Sequence, residues 1–506
     1  MHTYQDYTRY NRKMGLLHHA ANILDSYDGL LSVPENGNNI RAEQVALMKE
    51  MGHSMLTNFD YRELLLKLSN TANLSEIQRQ NVKLSLKKTL DASRVESDFV
   101  HLLSTTRSAS VDAYYRAREN NDFALFAPYL EKVVALTREY TTFHPGFATP
   151  YDAMLDEYDR WLTTEYLEGY FTEIKTKLLP LVRLLQWKQW EIEPLSFEKK
   201  QLESPEVVEF FRERLREIGF DLTRWVITPA PASFMIDGNP DDVRICYRNT
   251  GLLMEMLGSI FHEWGHGLYE QAFSVNDIGL PIWEAASYSM HESQSRLYEN
   301  HVGYSEEYFR YLLPRLQELF PEKFQSVTIQ ELLRKMNGVT KAPRRLDADE
   351  ISYHIHILIR FEIERDLMNG IIEVHDLPWI WNAKYKEYLD IDVKNDVEWV
   401  LQDIHWSDGS FWYFPTYSLG TIYATQLFHA LEKDIPDIRE RLEKGELIAI
   451  KEWLNTHVHA HWSLKTSTEI MEQVTGKKVD VDGYVEYIRS KYGKIYNIPD
   501  LQILEN

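Results

Sequence analysis

Along most of the chain, apolar residues recur three and four positions apart, the spacing that lines one face of a helix. Leu74, Ile77 and Leu84 form one such stripe; Phe211, Leu215 and Ile218 form another. The pattern predicts a mostly helical protein. Turn signals are sparse: Pro34-Glu35-Asn36-Gly37 is one, and the His144-Pro145-Gly146 run before Pro150 is a second. No internal repeat or low-complexity tract interrupts the pattern. The helical period does stop between Arg224 and Arg248. That stretch holds three short β-like runs, 224–228, 233–237 and 243–247, divided by Pro229, Pro231 and the Gly238-Asn239-Pro240 turn. They predict a small sheet, which either packs on the core or offers an edge to an extended peptide.

Helical spacing resumes over 251–273, with Asn249 or Thr250 as the expected cap. Leu252, Leu253, Met256, Leu257, Ile260, Phe261, Trp264 and Leu268 make this helix apolar almost all round, the mark of a buried one. Inside it lies His262-Glu263-Trp264-Gly265-His266. Two histidines four apart stand one above the other and can grip a single ion. Glu263 is one step round the helix, beside the ion instead of on it, which suits a base that takes a proton from water. Gly265 and Gly267 each weaken a helix by about 1 kcal/mol relative to Ala. Close approach of another backbone, or of substrate, would explain them.

A catalytic zinc needs a third protein ligand and one open position. A second helical stretch, from Pro281 to Gly303, supplies the candidates. Glu284, Glu292 and Glu299 are spaced by eight and seven, so they share roughly one helical face. His291 and His301 are less favoured alternatives. The residues themselves give a site of two histidines and one glutamate, with the glutamate open among three.

The remaining numbers mainly exclude. A length of 506 residues suffices for a large core. The net charge of -22 disfavours binding to nucleic acid or to anionic membranes. No apolar run reaches the length of a membrane helix, and the opening MHTYQDYTRYNRK has no secretory pattern. The single cysteine, Cys246, rules out an internal disulfide and a cysteine-based metal site, and fits the cytosol.

The stretch HEWGH followed by EAASYSMHESQSR resembles the carboxypeptidase Taq family of metallocarboxypeptidases. The likeness continues through Asp242-Val243-Arg244, Ala348-Asp349-Glu350, LQDIHW at 401–406 and GSFWYFPTYSLG at 409–420. It implies that Glu292 is the third metal ligand, beside His262 and His266, and that Glu263 is the general base. It implies a mostly α, two-lobed fold with a long active-site groove and a small β-sheet on its wall, similar to the neurolysin type of peptidase. Members are usually homodimers. The whole chain, 1–506, would then be one catalytic unit, with its β region at about 224–248 and its metal-site helices at about 251–302. Zinc is the expected metal, with cobalt or manganese able to bind similarly.

By the same resemblance His405 and Tyr417 match the donors that stabilise the tetrahedral oxyanion, with Tyr413 a second choice. Arg345 matches the arginine that reads the substrate's free carboxylate by a bidentate pair, Arg244 is a further candidate, and Gln294 would line the site. Some positions depart from the family pattern: Cys246 replaces Thr, Ala232-Ser233-Phe234 replaces His-Pro-Phe, Trp283 and Trp399 replace Gly, and Arg344 replaces Ile. None is a metal ligand, the base or Tyr417, so the expected change is in substrate preference. The expected function is release of C-terminal residues from peptides. The rivals are an oligoendopeptidase with the same metal site and a non-catalytic peptide-binding relative.

Overall fold

The computed structural model describes every residue except 1–2, 29–30, 33, 35–36, 191–204, 231–232, 237–238 and 503–506. Helices dominate it, as the apolar spacing predicts. Several begin at capping boxes, in which a Ser or Thr side chain and a residue three further on satisfy each other's backbone: Thr3 with Asp6, Ser75 with Gln78, Thr149 with Asp152 and Thr466 with Glu469. The expected turn at Pro34 lies partly outside the described residues, though the Gly37 N–H does donate to the Pro34 carbonyl at 2.7 Å. At Gly146 the chain turns with φ 103°, a conformation suited to glycine.

The chain divides into two compact units. One comprises Met1–Ser93, Leu195–Leu332 and Leu427–Lys478; the other comprises Arg94–Pro194, Leu333–Gln426 and Val479–Asn506. The first unit contains the only sheet among the described residues. Its strands are β1 (Trp225–Ala230), β2 (Phe234–Ile236) and β3 (Val243–Arg248), in the order β1-β3-β2. The pair β1–β3 is parallel and β2–β3 antiparallel, with Cys246 opposite both Thr228 and Phe234. Pro229 cannot donate to a ladder, and it sits in the edge strand β1, where that is tolerated. The central strand β3 is buried at Val243, Ile245, Cys246 and Tyr247, and packs against the helix Leu253–Gln271.

The two apolar stripes differ in outcome. Phe211, Leu215 and Ile218 are fully buried, on and just after the helix Pro205–Glu217. The Leu74–Ile77–Leu84 stripe does not mark the buried face of its helix, Glu76–Ala92. Ile77 is exposed, and the buried residues are Asn81, Val82, Ser85 and Thr89. Polar partners account for this: the Asn81 side-chain oxygen Oδ1 accepts from the Ile282 N–H at 3.1 Å, and the Ser85 hydroxyl bonds the Tyr7 hydroxyl at 2.8 Å.

The second unit is built around the helix Ser352–Met368, which is buried along nearly its whole length. It packs on the helices Thr164–Trp190 and Leu377–Leu389. No helix among the described residues is long and apolar enough to cross a membrane.

Candidate metal centre and arginine cluster

The Leu253–Gln271 helix is buried over most of its surface, with Glu255 exposed, and Trp264 is among the largest fully buried side chains. Its cap differs from the expected one. Leu252 is the capping residue and makes no side-chain bond to the helix. Asn249 and Thr250 instead accept from the N–H groups of Gly251 and Leu252, shaping the turn ahead of the helix. The glycines meet the predicted close approach. A Cβ on Gly265 would stand 2.5 Å from the Ser295 Cα and closer still to the Gln294 carbonyl. A Cβ on Gly267 would stand 2.9 Å from the Phe220 ring and 3.0 Å from the Ile245 side chain. Gly265 therefore lets the backbone of a second helix lie directly on the first.

That second helix is shorter than expected. Residues Pro281–Trp283 form a 3-10 turn, the α-helix runs Tyr288–Arg296 from a Ser287 cap, and a π turn follows over Leu297–Gly303. Glu284 thus lies outside the helix, exposed and paired with Lys88. Glu292 and Glu299 do share a face. Among the described residues, His262, His266 and Glu292 are the one group of three that could hold a metal ion, with ligand atoms all within 4.8 Å of one another. Glu292 Oε2 lies 3.7 Å from His262 Nε2 and 3.5 Å from His266 Nε2.

The other ring nitrogens settle the chemistry of this group. His262 Nδ1 bonds Glu299 Oε2 at 3.0 Å, and His266 Nδ1 bonds the His291 carbonyl at 3.1 Å. A carboxylate and a carbonyl accept only, so both Nδ1 atoms carry a proton, and in the neutral rings both Nε2 atoms keep a lone pair. Two lone pairs and a carboxylate oxygen facing one another repel unless a cation lies between them, either a metal ion or a proton, which, against the opposing effect of burial, Glu292 and Glu299 favour on His262. The donor set fits a divalent metal, and its carboxylate and carbonyl partners are those that orient metal-binding histidines.

Charges around the group follow. Burial opposes the ionised Glu292, but His262, Arg296 and His266 outweigh it and hold the carboxyl below its usual range. Glu263 is buried with no cation bonded to it, and burial pushes its carboxyl up to about 7 despite the pull of His262. His291 is not among the three: its ring stacks on His266 at 4.4 Å and its Nε2 bonds Glu270 at 3.2 Å. His301 is buried against Phe428. Gln294, expected to line the site, is fully buried; its side chain bonds His459 at 2.9 Å and Ser293 at 2.8 Å. These bonds brace it within the first unit.

In the second unit, Arg345 and Arg360 share Asp403. Arg345 Nε donates to Asp403 Oδ1 at 2.9 Å, and Arg360 Nε donates to Oδ2 at 2.8 Å. Burial opposes all three charges, yet the two guanidiniums hold the Asp403 carboxyl well below its ordinary range. Arg345 also donates to the Tyr353 hydroxyl, and its guanidinium lies 5.0 Å from the centre of the Tyr417 ring. His405 Nε2 is 3.3 Å from the Tyr417 hydroxyl. Burial, and then the charge of Arg345, push His405 down to about 3, so its ring is neutral at ordinary pH. Tyr413 packs against His405, Tyr417 and Tyr158. The structure therefore brings Arg345, His405, Tyr413 and Tyr417 into one cluster. Arg244, in β3 of the first unit, is forked onto Asp242 at 2.9 and 3.0 Å and lies against the Tyr27 ring.

The departures from the family pattern are mostly absorbed locally. Cys246 is buried in β3, and burial pushes its thiol up to about 12, so it is unreactive. Trp283 packs on Phe273, Trp399 is half-buried, and Arg344 pairs with Asp347 at 2.6 Å. Ser233 bonds Ser259 and accepts from the Arg248 N–H. Ala232 lies outside the described residues. Asp403 and Arg296 fall inside the stretches that resemble the family but, like Arg360 and the orienting contact of Glu299, carry no expected role, because their partners are set by the fold or by an interrupted helix.

A two-histidine, one-glutamate donor set on buried helices, with a second glutamate beside it, defines a metallopeptidase. The comparisons narrow the class. The chain belongs to the carboxypeptidase Taq (M32) family of metallopeptidases, whose family model matches residues 6–492. Carboxypeptidase 1 of Bacillus subtilis is 31% identical over 493 residues, covering 97% of this chain and 96% of the relative. Thermostable carboxypeptidase 1 of Pyrococcus furiosus is 32% identical over 485 residues, covering 95% and 96%. The crystal structure of the M32 carboxypeptidase from Deinococcus radiodurans superposes with a TM-score of 0.92 at 30% identity, covering 98% of this chain and 99% of that one. The chain is accordingly a metallocarboxypeptidase with a mostly helical fold.

Proposed function

We propose that the whole chain, 1–506, acts as one catalytic unit that removes amino acids one at a time from peptides with a free C-terminus. His262, His266 and Glu292 hold a divalent metal, zinc first and cobalt or manganese as substitutes. The observation that carries this is the meeting of two histidine lone pairs and one carboxylate oxygen. When bound, the metal acidifies water and polarises the scissile carbonyl.

Glu263 takes a proton from the attacking water and returns it to the departing amine. Its burial one step round the helix from His262 places it to do both. His405, as a neutral imidazole with its N–H at Nε2, and Tyr417 donate to the oxyanion as the carbonyl becomes tetrahedral. Arg345 reads the substrate carboxylate. Its Nε donates to Asp403 and its Nη1 to the Tyr353 hydroxyl, bonds that fix the plane of the guanidinium and leave further N–H groups to offer a carboxylate. Arg244 and Tyr413 are further substrate contacts, in a homodimer that works in the cytosol.

The test is Glu263→Gln. Turnover should fall about 10²–10⁴-fold, with one metal ion still bound per chain. Unchanged turnover would remove Glu263 from the reaction.

A further inference from the structure

Arg296 has no part in the proposed reaction, although among the described residues it is the one Lys or Arg bonded to the metal-binding group. It ends the Tyr288–Arg296 helix, one turn after Glu292, with a side chain only 12% exposed. Its Nε donates to Glu292 Oε1 at 2.8 Å, and its Nη1 donates to Glu299 Oε2 at 3.1 Å. Glu299 Oε2 is also the atom that accepts from His262 Nδ1, and Glu299 Oε1 accepts from the Tyr304 hydroxyl at 3.2 Å. The two oxygens of Glu292 are therefore unequal. Oε2 faces both histidine Nε2 atoms, and Oε1 is turned onto a guanidinium.

We infer that Arg296 is a positioning residue that makes Glu292 a one-oxygen ligand. A free glutamate beside a divalent ion can close on it with both oxygens. That would fill the position a catalytic site keeps for water and the substrate carbonyl. With Oε1 engaged by Arg296, only Oε2 is offered, and the protein supplies three donor atoms instead of four. The same guanidinium, through Glu299, ties this restraint to the orientation of the His262 ring. The π turn Leu297–Gly303 carries Glu299 to that position. Gly303 permits the turn, since a Cβ there would stand 2.6 Å from the Phe261 ring.

The inference rests on the reading of His262, His266 and Glu292 as the metal donors, and its test separates the two. The full chain is stripped of metal and titrated with cobalt(II) alone, as wild type, Arg296→Met, Arg296→Lys and Glu292→Gln. Visible absorption reports coordination number, because four-coordinate cobalt absorbs more strongly than five- or six-coordinate cobalt. Melting of the metal-free proteins checks the fold. Arg296→Met should bind one ion per chain with a weaker, shifted cobalt spectrum, and its zinc form should lose about 10–100-fold in kcat. Arg296→Lys, which still offers a cation to Oε1, should return part of the wild-type spectrum. An unchanged spectrum in Arg296→Met overturns the inference. So does complete loss of metal from both Arg296 variants, which would mean that Arg296 holds the site together instead of masking an oxygen. If Glu292→Gln binds cobalt like wild type, the donor assignment itself fails, and the inference falls with it.

Discussion

Replacing Gly265 by Ala adds one methyl group at the contact on which the metal centre is built. The Cβ would stand 2.5 Å from the Ser295 Cα and nearer still to the carbonyl group of Gln294. Carbon atoms pack best at about 3.5–4.0 Å, so the two helices must separate by roughly 1 Å. The obstructing atoms are backbone and cannot rotate away. Overpacking of this kind costs about 1–3 kcal/mol. The gain of about 1 kcal/mol in helix propensity offsets only part of it. The larger consequence is functional. Glu292 stands on the displaced helix and His262 and His266 on the other, so the shift pulls the proposed third ligand away from the other two. A displacement of 1 Å can cost about 10²-fold in rate. Gly267→Ala is the internal control, because the Phe220 and Ile245 side chains can move aside. Metal-free melting curves, zinc titration and turnover should show Gly265→Ala impaired in all three and Gly267→Ala much less so. A Gly265→Ala protein with wild-type zinc affinity would refute the claim that backbone contact sets the geometry.

Two further outcomes follow from the buried charges of the second unit. Glu364 accepts from Trp406 Nε1, the Trp412 N–H and the Tyr151 hydroxyl, yet burial raises its carboxyl from the ordinary 4.5 to about 8. Between those values the folded chain binds a proton that the unfolded chain does not, so this contribution is complete below the ordinary value and is lost as pH rises toward 8. Relative to Glu364→Gln, the wild type should lose about 2–5 kcal/mol between pH 5 and pH 8; parallel urea-midpoint profiles would show that Glu364 titrates normally. Asp403→Asn leaves two buried guanidiniums without their shared counter-ion. It should cost about 3–5 kcal/mol and raise KM for peptides, and an unmoved urea midpoint would contradict the described triad.

Local patterns were legible where one stretch of chain contains the whole cause. The three strands appear within one or two residues of their predicted bounds, although β1 runs through Pro229 to Ala230 instead of ending before it. His262 and His266 are four apart on a buried helix, and their glycine neighbours meet the close approach expected of them. Legibility falls where the helical period is broken or the partner is distant. The face shared by Glu284, Glu292 and Glu299 holds for the last two and fails for Glu284, because the chain is not α-helical before Ser287. Ile77 is exposed because the neighbouring face carries polar residues with buried partners. Asp403 meets Arg345 across 58 residues of sequence, and no local pattern announces such a pair.

The most direct test of the proposed chemistry compares one peptide in two forms, free and amidated at the C-terminus, with the zinc-loaded wild type and Arg345→Gln. The wild type should shorten the free peptide from its C-terminus, one residue at a time, and leave the amide intact. Loss of one charged hydrogen bond is worth about 1.5–3 kcal/mol, so Arg345→Gln should fall at least about 10-fold in kcat/KM on the free peptide and still spare the amide. Equal cleavage of both forms by the wild type, or an Arg345→Gln protein as fast as wild type, would contradict the assignment of Arg345 as the reader of the C-terminal carboxylate.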